Sequence, residues 1–498
     1  MIFDIRTEPW IPVQVMATGE VREVSLRELL EQAQEYRQIS GANAMETFGV
    51  YRFLSVFLLR IYQPQDWERK YEMLEEGRFA MERVEDYFNQ CELDGISFDL
   101  FDAKRPFMQA EPNAAYDTDK TIKSIASLDG TRASGNNSIH YDHTLEADAE
   151  MTAAQAMRSL LAAQIFVTAM SGGYPSNVYG APPMFFLPEG RNLFETLVLS
   201  MPTVETSDMG KPVWENPREI IPKEDVASAK QLYGMLFPAR RIRLCPPVDG
   251  KVRLMYYQPG LHFTGFSGWK DPHVARRLNK DGDFVSIKPS MDKEPWRNLI
   301  SLNQFYQDGA PSVLRDFAKI LQENSRHDMP VMMFGLATSN ASLLGLQQGK
   351  IHLDNRIVAD ADKVDVLVKA LGLVESFGKQ LASKKSGLAA ILAPEESGRG
   401  QHEADVYRHR YFAYCESKVS WYMDRLAKAV DLGDYHALKQ EWQKLLLAGV
   451  RSLVQEAEQI YCFRATDLIR AQQQERFLFA SLYKILREAG YCADDKKQ

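Results

Sequence analysis

The chain has 498 residues, 45% hydrophobic and 25% charged, a balance that fits a soluble globular protein with several cores and excludes disordered, collagenous and fibrous classes. Lys and Arg number 59 against 67 Asp and Glu, a formal charge of −8, so a chain-wide basic footprint for nucleic acid is absent while a local patch remains allowed. Five scattered cysteines (Cys91, Cys245, Cys415, Cys462, Cys492) form no C-x-x-C pair, which fits a reducing compartment and argues against a disulfide framework or a cysteine zinc site.

The opening residues lack a basic, apolar leader, and the most apolar run, Phe53 to Leu59, is too short to span a bilayer. A cytoplasmic location and no membrane partner are therefore expected. A strand or hairpin is expected over Ile2 to Val24, and Ser25-Leu26-Arg27-Glu28 has capping-box spacing that starts a helix. Helices are expected over about Ala42 to Tyr62, stopped by Pro64, and from Phe79 towards Cys91. Short strands and loops follow, with a long loop through Gly130 to Asn137. A helix from about Met151 to Met170 empties into a glycine loop, Ser171 to Gly180. Residues 181–300 are Pro-punctuated and aromatic, with β-type runs at Ala181 to Leu187, Arg241 to Leu244 and Val252 to Tyr257. Four amphipathic helices then run from about Asp360 to Arg487; Leu438, Trp442, Leu445, Leu446, Val450 and Leu453 show the three-and-four spacing clearly. The expected fold is α+β, with a large irregular mixed α/β domain over 1–359 and a C-terminal four-helix bundle over 360–498.

Catalytic motifs are missing. Gly345-Leu346-Gln347-Gln348-Gly349-Lys350-Ile351 is one residue short of a P-loop and ends in Ile, and Gly265-Phe266-Ser267-Gly268 is one short of a nucleophile elbow. His140-Tyr141-Asp142-His143 resembles a metal cluster but lacks further ligands and a second shell. No catalytic residue, metal or cofactor is expected. More informative is a basic island between Arg240 and Lys280: Arg240, Arg241, Arg243, Lys251, Arg253, Lys270, Arg276, Arg277 and Lys280, opposed within it by Asp249 and Asp271 alone. Tyr256, Tyr257, His262, Phe263, Phe266 and Trp269 interleave with it, so phosphate attraction and base stacking are both available. The glycine loop lets backbone approach a ligand closely. These features point to a binding or scaffold protein more than an enzyme. Two competing readings stand beside this one. One is a metal-dependent nuclease or hydrolase using His140, Asp142 and His143 or Asp271 and His273; the other is a scaffold that never touches nucleic acid.

Several short motifs follow one another along the chain: Phe3-Asp4-Ile5-Arg6-Thr7-Glu8-Pro9-Trp10-Ile11-Pro12-Val13, then Phe98-Asp99-Leu100-Phe101 with Arg105-Pro106-Phe107-Met108-Gln109, then Gly180-Ala181-Pro182-Pro183. Trp269-Lys270-Asp271-Pro272-His273, Pro295-Trp296 and the closing helices continue the series. In these motifs and their order the chain resembles the CasA family, the large subunit of Cascade, the type I-E CRISPR surveillance complex. The resemblance implies a non-catalytic protein that reads the protospacer-adjacent motif on target double-stranded DNA, largely from the minor groove, and helps open the strands. Implied partners are the CRISPR RNA-bearing Cascade subunits, the small subunits and a helicase-nuclease. By position, the family's long loop corresponds to about Arg132 to His143, with Tyr141, Asp142 and His143 where its contacting residues lie. Its glycine loop maps onto Gly172, Gly173 and Gly180, and its strand-separating hairpin onto Thr338-Ser339-Asn340-Ala341-Ser342, where some relatives carry Gln at the position of Asn340. Lys251, Arg253 and Lys270 are the candidates for its motif-reading lysine.

Overall fold

A computed structural model describes residues 2–129, 149–169, 173–216, 219–266, 268–279, 284–291, 293, 295–302, 309–339, 342–383, 386–388, 391, 397–462 and 464–491. The fold is mixed α/β with small sheets and a helical C-terminal region, and it divides into two compact units. Among the described residues, no helix is long and apolar enough to cross a membrane.

The first unit comprises Met1–Pro295 with Asp308–His352. Its centre is the Ala44–Tyr62 helix, of which every residue but Arg60 and Ile61 is buried. A helix that presents no polar face must be enclosed by its neighbours. Asn43 starts it, its side-chain oxygen accepting from the Met45 and Glu46 amides at 2.9 and 3.0 Å; Gln63, left-handed at φ 48°, ends it. Gly49 lets the Ala153–Ile165 helix close in, because a Cβ there would lie 3.2 Å from the Ala162 nitrogen. The capping box expected at Ser25 forms by half. Ser25 accepts from the Glu28 amide at 3.2 Å, but the Glu28 carboxylate turns to Arg22 at 2.7 Å.

The first unit carries three small antiparallel sheets. Ile11–Val15 lies between Val21–Val24 and Tyr36–Ile39. Leu254–Pro259 lies between Ile122–Ser124 and Arg240–Leu244. Asp328–Ser339 lies between Phe185–Pro188 and Ser342–Asp354.

The second unit comprises Trp296–Gln307 and Leu353–Gln498. Its four long helices, Ala361–Leu381, Ser397–Lys428, Leu432–Tyr461 and Ala465–Glu488, pack on one another. Asp360 and Asp431 cap the first and third through their side-chain oxygens. Trp442 is fully buried and donates its indole N–H to the Ala370 carbonyl at 3.1 Å, which meets the requirement that a buried indole find an acceptor. Gly378 admits the Phe412 ring and Gly449 the Tyr414 ring.

Candidate nucleic-acid interface

The sheet centred on Leu254–Pro259 gathers several of the candidate residues. The strand that crosses to it turns at Asp249 and Gly250, both left-handed at φ 53° and 74°, while Val248 and Lys251 exchange backbone hydrogen bonds at 2.9 and 3.0 Å. An Asp-Gly pair suits such a two-residue turn because both positions need positive φ. Beyond the turn side chains alternate. Val252 is buried, whereas Lys251 and Arg253 are half-buried and both pair with Glu150, at 3.8 and 2.9 Å. The Arg253 carbonyl accepts from the Ile125 amide at 2.9 Å, and Val252 exchanges bonds with Met151 at 2.8 and 3.0 Å. The chain on both sides of 130–148 is thus tied to one stretch of backbone that bears Lys251 and Arg253. Tyr141, Asp142 and His143 themselves lie outside the described residues.

The glycine loop is anchored on the same sheet. Gly172 lies outside the described residues; Gly173 and Gly180 adopt φ 77° and 76°, which side-chain-bearing residues adopt at a cost. Arg240, 1% exposed, donates to the Thr168 and Pro175 carbonyls at 2.6 and 2.5 Å and so clamps the loop's entry. Its guanidinium lies 5.2 Å from the Tyr174 ring, which stacks on Tyr257 with centroids 5.9 Å apart. A Cβ on Gly173 would fall 2.6 Å from the Lys223 ammonium nitrogen. Lys223 is therefore a cation at the loop that sequence reading missed, and no motif or spacing in the sequence marks it.

The basic island is partly interior. Opposed within the sequence window by two aspartates, it also draws counter-charges from outside it. Arg240 and Arg241 are buried. Arg241 pairs with Asp117 at 2.5 Å and donates to the Glu111 carbonyl, while Arg243 pairs with the same Asp117 at 2.9 Å and lies 4.3 Å from the Tyr256 ring. Burial works to raise the Asp117 carboxyl, but hydrogen bonds from Arg241 and the Asn113 amide and the charges of both arginines hold it below the usual carboxylate range. With Lys251 and Arg253 on Glu150, four of the nine cations share two carboxylates supplied from outside the window.

Lys270 is exposed and held from both sides. Trp269 packs on Gly234, where a Cβ would lie 2.2 Å from the indole ring, and Asp271 is buried. Gly234→Ala is expected to displace Trp269 and cost about 1–3 kcal/mol through overpacking. A lower denaturation midpoint with altered Trp emission is the readout; an unchanged midpoint would mean that the ring has room to move. Asp271 and His273 are not available as metal ligands. The Asp271 oxygens accept from Arg52 and Tyr179, and the two His273 ring nitrogens face Arg52 and the Ser200 carbonyl, each at 2.7 Å. Those two residues are structural, which removes that half of the metal-dependent hydrolase reading.

Ser339 ends the Asp328–Ser339 strand, and Ser342 begins the next; Asn340 and Ala341, between them, lie outside the described residues. Third-strand pairing stops at Phe334, opposite Phe185, and Leu344 near the hairpin's end is 57% exposed. This hairpin belongs to a different sheet from Lys251 and Arg253. Gly180 and Lys270, by contrast, are joined: their neighbours Tyr179 and Asp271 hydrogen-bond to each other.

Residues 4–453 match the family model described as CRISPR-associated protein Cse1. The CRISPR-associated protein CasA/Cse1 of Thermus thermophilus is 29% identical over 423 residues, 80% of each chain. The crystal structure of a CRISPR-associated protein from the same organism is similar with TM-score 0.79 at 21% identity, over 97% of this chain and 100% of that one. Thermobifida fusca Cse1 gives TM-score 0.75 at 20% identity over 99% of both chains. A chain of a CRISPR RNA-guided surveillance complex gives 0.76 at 22% identity, over 96% of this chain and 99% of that one. At these identities the solved structures establish the fold.

Proposed function

The chain belongs to the CRISPR-associated Cse1 family, and we propose that it is the non-catalytic large subunit of a type I-E CRISPR RNA-guided surveillance complex. In this role it recognises the protospacer-adjacent motif on target double-stranded DNA, aids strand opening and recruits the helicase-nuclease in the cytoplasm. Its partners are the CRISPR RNA-bearing and small subunits, the target duplex and that nuclease. A solved relative that is itself a chain of a CRISPR RNA-guided surveillance complex supports the partner assignment. The observation that carries the DNA reading is the joining of a positive-φ glycine loop to the segment that presents Lys270. Bare backbone fits a narrow groove, and a single long cation reaches its floor. Because the minor groove offers a degenerate pattern, tolerance of several motifs follows. Delegating sequence to the guide RNA leaves the protein a short motif to read.

The test is the affinity of a complex lacking its large subunit, with and without this protein, for motif-bearing and motif-scrambled duplexes at fixed salt. A gain of roughly tenfold or more, confined to the motif-bearing duplex, is expected. No gain on either duplex, with the protein incorporated, would sink motif reading and favour a scaffold without nucleic-acid contact.

A further inference from the structure

Arg52 lies in the enclosed part of the Ala44–Tyr62 helix and is itself 0% exposed. An arginine in such a place must find acceptors for its whole guanidinium, and this one finds them on segments far apart in sequence. Its Nε–H donates to the Met235 carbonyl at 3.0 Å. Nη1 donates to Asp271 Oδ1 at 3.0 Å and to His273 Nδ1 at 2.7 Å. Nη2 donates to the Tyr179 hydroxyl at 2.8 Å and to Asp271 Oδ2. The Tyr179 hydroxyl donates in turn to Asp271 Oδ2, and Asp271 Oδ1 also accepts from the His273 amide at 2.8 Å. The guanidinium is further seated 5.8 Å from the Phe185 ring.

Two of those partners are the immediate neighbours of candidate DNA-contacting residues. Tyr179 precedes Gly180, and Asp271 follows Lys270. Met235 ends the short helix whose Gly234 receives the Trp269 ring on the other side of Lys270. One planar, forked group therefore ties the end of the glycine loop to both flanks of the lysine. Lysine could not do this, since a compact ammonium lacks the fixed fork.

We propose that Arg52 is a positioning residue that sets the spacing between Gly180 and Lys270 through Tyr179 and Asp271, and thereby governs motif discrimination more than general duplex affinity. This rests on the motif-reading role proposed above. Neither surface feature alone fixes the distance between a groove-facing backbone and a groove-entering cation. The buried fork does, and it does so without touching DNA.

The test uses two variants of the full chain, Tyr179→Phe and Arg52→Lys, each in the reconstituted complex and each free. Tyr179→Phe keeps the ring and deletes only the bridging hydroxyl. With it, the ratio of affinities for motif-bearing over motif-scrambled duplex is expected to fall roughly tenfold, while scrambled-duplex affinity stays within about twofold. In the free protein, amide hydrogen exchange at 173–180 and at 268–271 is expected to rise together in either variant. An unchanged ratio in both folded variants, or faster exchange confined to one of the two segments, would overturn the coupling. A parent complex that does not discriminate the duplexes would overturn motif reading and this proposal together; coupled exchange with no effect on the ratio would overturn the positioning role alone.

Discussion

Arg52→Met is expected to lower the stability of the full chain by about 3–5 kcal/mol, read as a large drop in denaturation midpoint. The figure follows from what is left behind rather than from the pair's own strength. The Asp271 side chain is 1% exposed, and methionine would leave its carboxylate buried with no counter-charge. Burying an unpaired charge costs far more than losing an ordinary hydrogen bond. The double variant Arg52→Met with Asp271→Asn should recover part of the loss, because the orphaned charge goes with it. A contrast is available within the same chain: the exposed pair of Arg425 and Glu441, 3.4 Å apart, should cost less than about 1 kcal/mol to remove. An Arg52→Met loss as small as that would mean that solvent reaches Asp271 and that the cluster is not the enclosed anchor its geometry describes.

Acidification is expected to destabilise the same cluster through His273. Burial, reinforced by the adjacent Arg52 charge, pushes this imidazole down to about 3, and both ring nitrogens are already engaged. In the unfolded chain a histidine titrates near 6.5. Between those values the unfolded state binds a proton that the folded state refuses, so stability falls as pH drops through that window. The slope from this one group approaches about 1.4 kcal/mol per pH unit. Asp271 acts in the same direction at lower pH. Burial would raise its carboxyl, but the charge and hydrogen bonds of Arg52 hold it below its ordinary value, so the unfolded state takes up that proton first. Urea titrations of parent and His273→Gln between pH 6.5 and 4.5 separate the histidine from the other titrating groups. A shallower slope in the variant is expected, and identical slopes would mean that His273 charges in place.

The sequence was most informative where a local rule decided the outcome. The Ala44–Tyr62 helix was legible because Pro64 stops one long apolar run, and the C-terminal helices because their apolar spacing repeats at three and four. The Trp67–Glu76 and Ser312–Glu323 helices and most of the long hairpin were not read, and the helix after Met151 ends at Ile165 rather than Met170. At the site, glycine positions were legible because positive φ has a residue preference. Arg52 was hidden because it reads as the polar flank of the Phe53 to Leu59 run, and its partners stand 127 to 221 residues away. The basic island was incomplete for the same reason: Asp117 and Glu150, which pair with four of its nine cations, lie outside the window in which its charges were summed.

Those long separations also bear on how the chain is made. Arg52 must wait 219 residues for Asp271, and Lys70, equally buried, must wait 246 for Asp316. At roughly 5–20 residues per second, the ribosome leaves the central helix's arginine without its carboxylate for about 10–40 s. The Phe185–Pro188 strand meets Val274 and the His273 carbonyl first, and waits for Val331 to Phe334 to complete its pairing. The centre of the first unit is therefore expected to be completed late, although the sheet of Ile11–Val15, Val21–Val24 and Tyr36–Ile39 needs nothing beyond residue 39. A nascent chain halted before residue 271 holds two cations, Arg52 and Lys70, whose neutral acceptors at Tyr179, Met235 and Leu199 have been made but whose carboxylates, Asp271 and Asp316, have not.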